Sequence, residues 1–312
     1  MRPAVLIIWL LAAAAALAEP FNPGHVAASA RWVAHLDVDR IREADGLQRM
    51  LAGAGDAAAR DKARAMLQRM GVDPKDLEAT DFSFICAYGA GAADQAVAII
   101  GGNQAMVDWF IDWMSAAGEA QPPIDRHDHT IRTWLHQGEL TAMLTASLDG
   151  GRTAMILASS ADEVIAAARV LADQSPSLAD VETAIIDARP APGAILFIAA
   201  RDMQTYAAVQ PRAVALRETT DLTIQAGESA GALFFSAELV TTGPEQASAL
   251  RDMLNGMRAW ARLASRNWPR AETLGSMFDA IQMRIDDSRL HISWQAEIDT
   301  LLPSSPDEAP PP

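Results

Sequence analysis

Two hydrophobic periods alternate along the chain, one of about two residues and one of about 3.6, and their order predicts the elements. The stretch RWVAHLDV (31–38) reads as a strand. Asp37 or Asp39 is placed to cap a helix over RIREADGLQRML, with Ile41, Leu47 and Met50 inward. A more polar helix is predicted over 56–70, stopped by Gly71 and then Pro74. FSFICAY and QAVAIIG read as a hairpin around the Gly-rich turn GAGAAD. A helix follows Gly102-Asn103, with Met106, Trp109, Phe110, Trp113 and Met114 on its apolar side.

The grammar then recurs. DLTIQA, the turn GESAG and ALFFSAELV form strand, turn and strand. Thr242 and Glu245 are spaced as a capping box, and Ala247, Leu250, Met253, Leu254, Met257, Trp260, Ala261 and Ala264 make one helical stripe. One strand precedes each unit (RWVAHLDVDRI; GAILFIAARDM), and two strand candidates follow each helix (HTIRTWLHQ and LTAMLTASL; AIQMRID and RLHISWQAEI). A divergent internal duplication accounts for this. The predicted fold is α+β: two related halves, each an antiparallel sheet covered on one face by long amphipathic helices, the halves either side by side or sharing a continuous sheet. Their bounds are 30–187 and 191–302, after a linker at 19–29 and before a disordered Pro-rich tail at 303–312. The first half ends in TAMILASSADEVIAAARVLAD, where Ser160 and Glu163 form a second capping box and Val164, Ala167, Ala168 and Leu171 face inward.

Composition adds location and exclusions. Met1–Ala18 holds one early Arg2, then an apolar run closed by Ala16-Leu17-Ala18, the pattern of a signal peptide cut after Ala18. About 15 apolar residues are short for a bilayer core of roughly 30 Å, which weighs against an uncleaved anchor. No later segment predicts a membrane span. Cys86 is the one cysteine, so no disulfide forms within the chain, and its apolar setting predicts a buried structural thiol. The net charge of −15 repels phosphate backbones and anionic headgroups, which disfavours nucleic-acid binding.

The chemistry on offer is sparse. Gly227-Glu228-Ser229-Ala230-Gly231 matches the G-x-S-x-G elbow of serine hydrolases, which makes Ser229 a candidate nucleophile. An elbow needs a strand before the serine and a helix after it. Here ALFFSAELV follows, so a hairpin turn is expected. Asp125, His127 and His129 would alternate onto one face of a strand and could bind a metal ion. They follow Pro122-Pro123, and a polar strand end at the surface is the favoured reading. Asp286-Asp287 reads as a turn. No phosphate loop, C-x-x-C or EF-hand loop occurs, and no cofactor is implied. Trp109, Trp113, Trp260 and Trp268 suggest core or inter-helix packing ahead of a ligand platform.

ARWVAHLDVDRI, HTIRTWL, ASSADEVIAAARVLADQSPSL, GAILFIAARDM and residues 215–264 together resemble a group of exported bacterial proteins common in Planctomycetes and their relatives. The resemblance implies a signal peptide and two related α+β halves, and it brings no known catalytic residues to carry over. The expectation is an exported, non-catalytic envelope or periplasmic protein that binds a protein or small-molecule partner between or beside the halves. An exported hydrolase using Ser229, or a metal at His127 and His129, is the alternative. A homo-oligomer stays open.

Overall fold

The computed structural model describes residues 20–53, 81–91, 96–136, 138–182, 189–204, 217–264 and 271–301. The predicted polar helix at 56–70, the signal segment, Trp268 and the tail lie outside them.

All the strands named here join one antiparallel sheet of twelve, in the order β11-β12-β10-β9-β8-β1-β2-β3-β7-β6-β5-β4. They are β1 (Trp32–Asp37), β2 (Phe82–Gly89), β3 (Ala96–Gly102), β4 (Glu119–Arg126), β5 (His129–His136), β6 (Glu139–Ser147), β7 (Thr153–Ala158), β8 (Ala194–Arg201), β9 (Thr219–Ser229), β10 (Ala232–Thr241), β11 (Gln282–Asp286) and β12 (Arg289–Glu297). The helices are α1 (Val38–Glu43), α2 (Asp45–Gly53), α3 (Gln104–Ala117), α4 (Ala161–Leu171), α5 (Pro244–Ala264), α6 (Ala271–Asp279) and α7 (Ile298–Leu301).

This overturns the predicted fold class. Of the two arrangements left open, the halves do not lie side by side as separate sheets but share one, and it is not covered as expected. β1 pairs with β8 at the centre, Trp32 opposite Ala200 through Leu36 opposite Leu196, and one sheet runs through both portions. Nor do long helices cover one face. Of the helices described, only α5 exceeds 14 residues. The first portion is covered on both faces instead. β2 and β3 are buried at every position, so successive residues serve opposite cores. Phe84, Cys86, Val97, Ile99 and Ile156 face α4. Ile85, Ala98, Ile100, Met155 and Leu157 face α3, which inserts Met106, Phe110 and Met114. An apolar run without alternation is the signature of such a strand, and one-sided cover cannot bury it. Each large side chain so enclosed contributes about 1.5–3 kcal/mol.

What the two sides of the β1–β8 seam share is strand order. A three-strand meander (β1-β2-β3; β8-β9-β10) leads to a helix (α3; α5). The chain then re-enters from the outer edge, which sets β7 against β3 and β12 against β10. One side re-enters with four strands and the other with two. The outer edge strand β4 contains Pro122-Pro123 and a register shift between Gln121 and Ile124. Both blunt it as a pairing edge.

Local signals resolve in detail. Asp37, and not Asp39, caps α1 by accepting from the Arg40 amide at 2.8 Å. Ser160 caps α4, accepting from the Glu163 amide at 3.3 Å. The box expected at Thr242 does not form. Pro244 opens α5 one residue later, Gly243 precedes it, and the Thr242 hydroxyl donates to Glu218. Residues within the expected linker pack closely: Val26 is fully buried, and its carbonyl accepts from Leu178 at 2.7 Å.

Candidate functional site

Over one face of the β1–β8 seam lies a cavity of about 570 Å³. Its floor comes from strand alternation. His35 and Asp37 are two apart on β1 and so share a face, and His35 stands directly opposite Phe197 on β8. All three are nearly sealed, at 5%, 3% and 1% exposure. Phe21 reaches in from the N-terminal segment. Its ring centroid is 5.0 Å from that of Phe197 and 5.7 Å, edge-on, from that of His35. Arg40 and Arg189 also line the cavity and are more open to solvent.

Two short segments form the walls. Asn22 caps a 3-10 turn at Pro23–His25 by accepting from the Gly24 amide at 2.9 Å, which fixes the N-terminal side. Residues 189–193 form the other side and are fastened to β9. The Gln225 side chain accepts from the Ala191 amide at 2.6 Å, and the Glu228 amide donates to the Gly193 carbonyl at 3.1 Å. Gly193 has φ +85°, and a Cβ on it would sit 2.1 Å from the Glu228 carbonyl oxygen. A Cβ on Gly227 would sit 2.0 Å from the Gly193 carbonyl oxygen. Only glycine permits that approach. β8 begins beside the cavity with a register shift between Ala194 and Leu196, which sets Ile195 into the lining.

Beyond Asp37 the charge density rises. Asp39 is fully buried, and neither carboxylate oxygen accepts a hydrogen bond from a described residue. Arg42 Nη1 lies 3.6 Å from its Oδ1 and 3.1 Å from Asp81 Oδ1. Burial, then the neighbouring Asp37 charge, pushes the Asp39 carboxyl up to about 7. Asp39 is not among the residues that line the cavity.

The sequence-predicted candidates lie elsewhere. Ser229 ends β9, Ala230 (φ 51°) and Gly231 (φ 78°) make the turn, and β10 follows, so the chain runs strand, turn, strand. Ser229 pairs with Ala232, whereas His291 pairs with Glu238, about 20 Å along the strand at 3.4 Å per residue. His291 Nδ1 sits 3.2 Å from Glu238 Oε2. Each residue of the Gly-x-Ser-x-Gly stretch with a visible task is architectural. Gly227 admits the cavity wall, and Gly231 makes the turn. Glu228 caps α2, accepting from the Gly46 and Leu47 amides at 3.2 and 3.0 Å.

Asp125, His127 and His129 do not share one strand face. His127 (φ 47°) and Asp128 (φ 64°) form a two-residue turn between β4 and β5, and all three candidates are exposed. Asp125 accepts from the Thr130 hydroxyl at 2.8 Å. Among the described residues no cluster of three His, Cys, Asp or Glu side chains is placed to hold a metal ion. Cys86 is buried, and burial pushes its thiol up to about 12, which removes it as a nucleophile near neutral pH. Trp109 and Trp113 stack at 6.3 Å on α3, half-buried, while Trp260 is 71% exposed. No described helix is long and apolar enough to cross a membrane.

Sequence reasoning missed the cavity because its residues come from four separated segments with no common motif. The signals present were a histidine and an aspartate at alternate positions of an otherwise apolar strand (WVAHLD), and the proline pair in RPAPG.

No protein-family model matches the chain, and no curated protein matches it. Among solved structures, crystal form I of TP0453 aligns over 92% of this chain and 96% of its own, with 9% identity and a TM-score of 0.41. Crystal form III of TP0453 aligns over 92% and 97%, with 10% identity and a TM-score of 0.43.

Proposed function

We propose that the protein is an exported, non-catalytic envelope or periplasmic protein that holds a small ligand in the cavity over the β1–β8 seam. The cavity carries this reading. Its volume of about 570 Å³ falls in the range of small-molecule sites, and it has the usual make-up of such sites: apolar and aromatic walls with a few convergent polar groups. Export is supported by the apolar Met1–Ala18 segment. A binding role is supported over hydrolysis by the placement of Ser229 at the end of β9, where a strand and not a helix follows the turn and His291 lies about 20 Å along the sheet.

Mass spectrometry of the purified mature chain, opened by denaturation, tests the reading. A small molecule should be released in near-equal amount to protein. Ala191→Trp, which fills the cavity from its wall, should abolish that release while the variant stays folded by circular dichroism. A chain that carries nothing, and whose melting temperature no small molecule raises, would refute it.

A further inference from the structure

We infer that the ligand of this cavity is a zwitterion with an apolar middle, of the short-peptide class, whose ammonium end sits at Asp37 and whose carboxylate end meets the arginines of the rim. This rests on the reading that the cavity is the binding site.

The polarity of the cavity runs in one direction. Asp37, at 3% exposure, is the acidic group of the floor. Phe21 and Phe197 flank that floor at 5.0 Å from each other, and aromatic faces attract a cation as a carboxylate does. A ligand carboxylate driven to the floor would meet Asp37 in a low-dielectric setting, where like charges repel strongly. The rim is the reverse. Arg189 is exposed, and the Arg40 side chain is 42% exposed, with Glu43 Oε2 at 3.6 Å as its loosely held partner. Guanidinium groups suit a carboxylate because their donors match its two oxygens. Between floor and rim the lining is apolar, including Ile195 and the proline rings of residues 190 and 192. The volume exceeds what a free amino acid needs and suits a drug-sized molecule. A compound with an inward cation, an apolar body and an outward anion satisfies all three zones.

Calorimetric titration of the mature protein tests this with four named probes: alanyl-leucyl-alanine, its N-acetyl derivative, its C-terminal amide, and decanoate. The free tripeptide should bind. N-acetylation should weaken it by at least about tenfold, and amidation by a smaller factor. Asp37→Asn should reproduce the effect of N-acetylation on the free tripeptide. Asparagine caps a helix as well as aspartate does, so α1 keeps its cap and only the charge is lost. Ala191→Trp serves as the cavity-filled control. Equal binding of the free and N-acetyl peptides overturns the ligand class. So does binding of decanoate alone, if Ala191→Trp removes it; in that case the cavity stands as a binding site. If no probe binds in a way that Ala191→Trp removes, this inference fails, and it is then the melting-temperature screen that decides the reading beneath it.

Discussion

Asp39 is held where a carboxylate is costly: fully buried, with Arg42 at 3.6 Å and Asp37 as a like-charged neighbour. Its carboxyl titrates near 7 in the folded chain against an ordinary 3.8. The folded state therefore keeps a proton that the unfolded state releases. That contribution is complete below about pH 4 and is lost as pH rises through 7. Wild-type stability should fall by about 2 kcal/mol between pH 5 and pH 8, and Asp39→Asn should flatten that slope and melt higher at pH 8. Urea unfolding at the two pH values measures both. The glycines of the Gly-x-Ser-x-Gly stretch show a different kind of demand. Gly227 is fixed by the backbone of Gly193, 34 positions earlier in the chain, and no local pattern could announce that contact.

Among the elements, α5 separates what periodicity shows from what it hides. Its apolar residues read as a single inward stripe. The fold divides them: Ala247 and Leu250 are buried, whereas Met253, Met257, Trp260 and Leu263 are 38%, 58%, 71% and 57% exposed. A helix with two apolar sectors gives one broad signal, and only the position of the sheet decides which sector is inside. Leu250→Ala should cost about 2–4 kcal/mol, and Trp260→Gln should stay within about 0.5 kcal/mol. Chemical denaturation of the two variants tests the division. Hairpin β9–β10 and the Ser160 cap were legible because their causes lie within four residues: a turn that needs positive φ, and a hydroxyl facing a free amide. β4 was hidden because Pro122-Pro123 suppresses strand propensity, which an edge position tolerates. The two-sided burial of β2 was present in FSFICAY as an apolar run. A strand of seven or eight residues does not by itself say how many helices will cover it.

At the scale of the whole molecule, the seam between β1 and β8 makes the two portions one unit. Glu228 of β9 caps α2, and Arg49 on that helix pairs with Asp299 of α7 at 2.8 Å. A Cβ on Gly46 would sit 1.8 Å from Ile298, so α2 and α7 are closely packed. Neither portion has its full set of contacts without the other. Thermal unfolding should therefore show a single transition, with far-ultraviolet circular dichroism and tryptophan fluorescence coincident. Two resolved transitions would mean that the seam is weaker than its pairing implies.

The strands that meet at that seam lie about 160 positions apart in the chain. The middle of the sheet is therefore its most non-local pairing. A newly made chain carries β1 with one side bare until β8 has been synthesised, at 5–20 residues per second a wait of roughly 8–32 seconds. An open strand of that kind recruits stray neighbours. The stitching order thus leaves the incomplete chain open to mispairing for that interval.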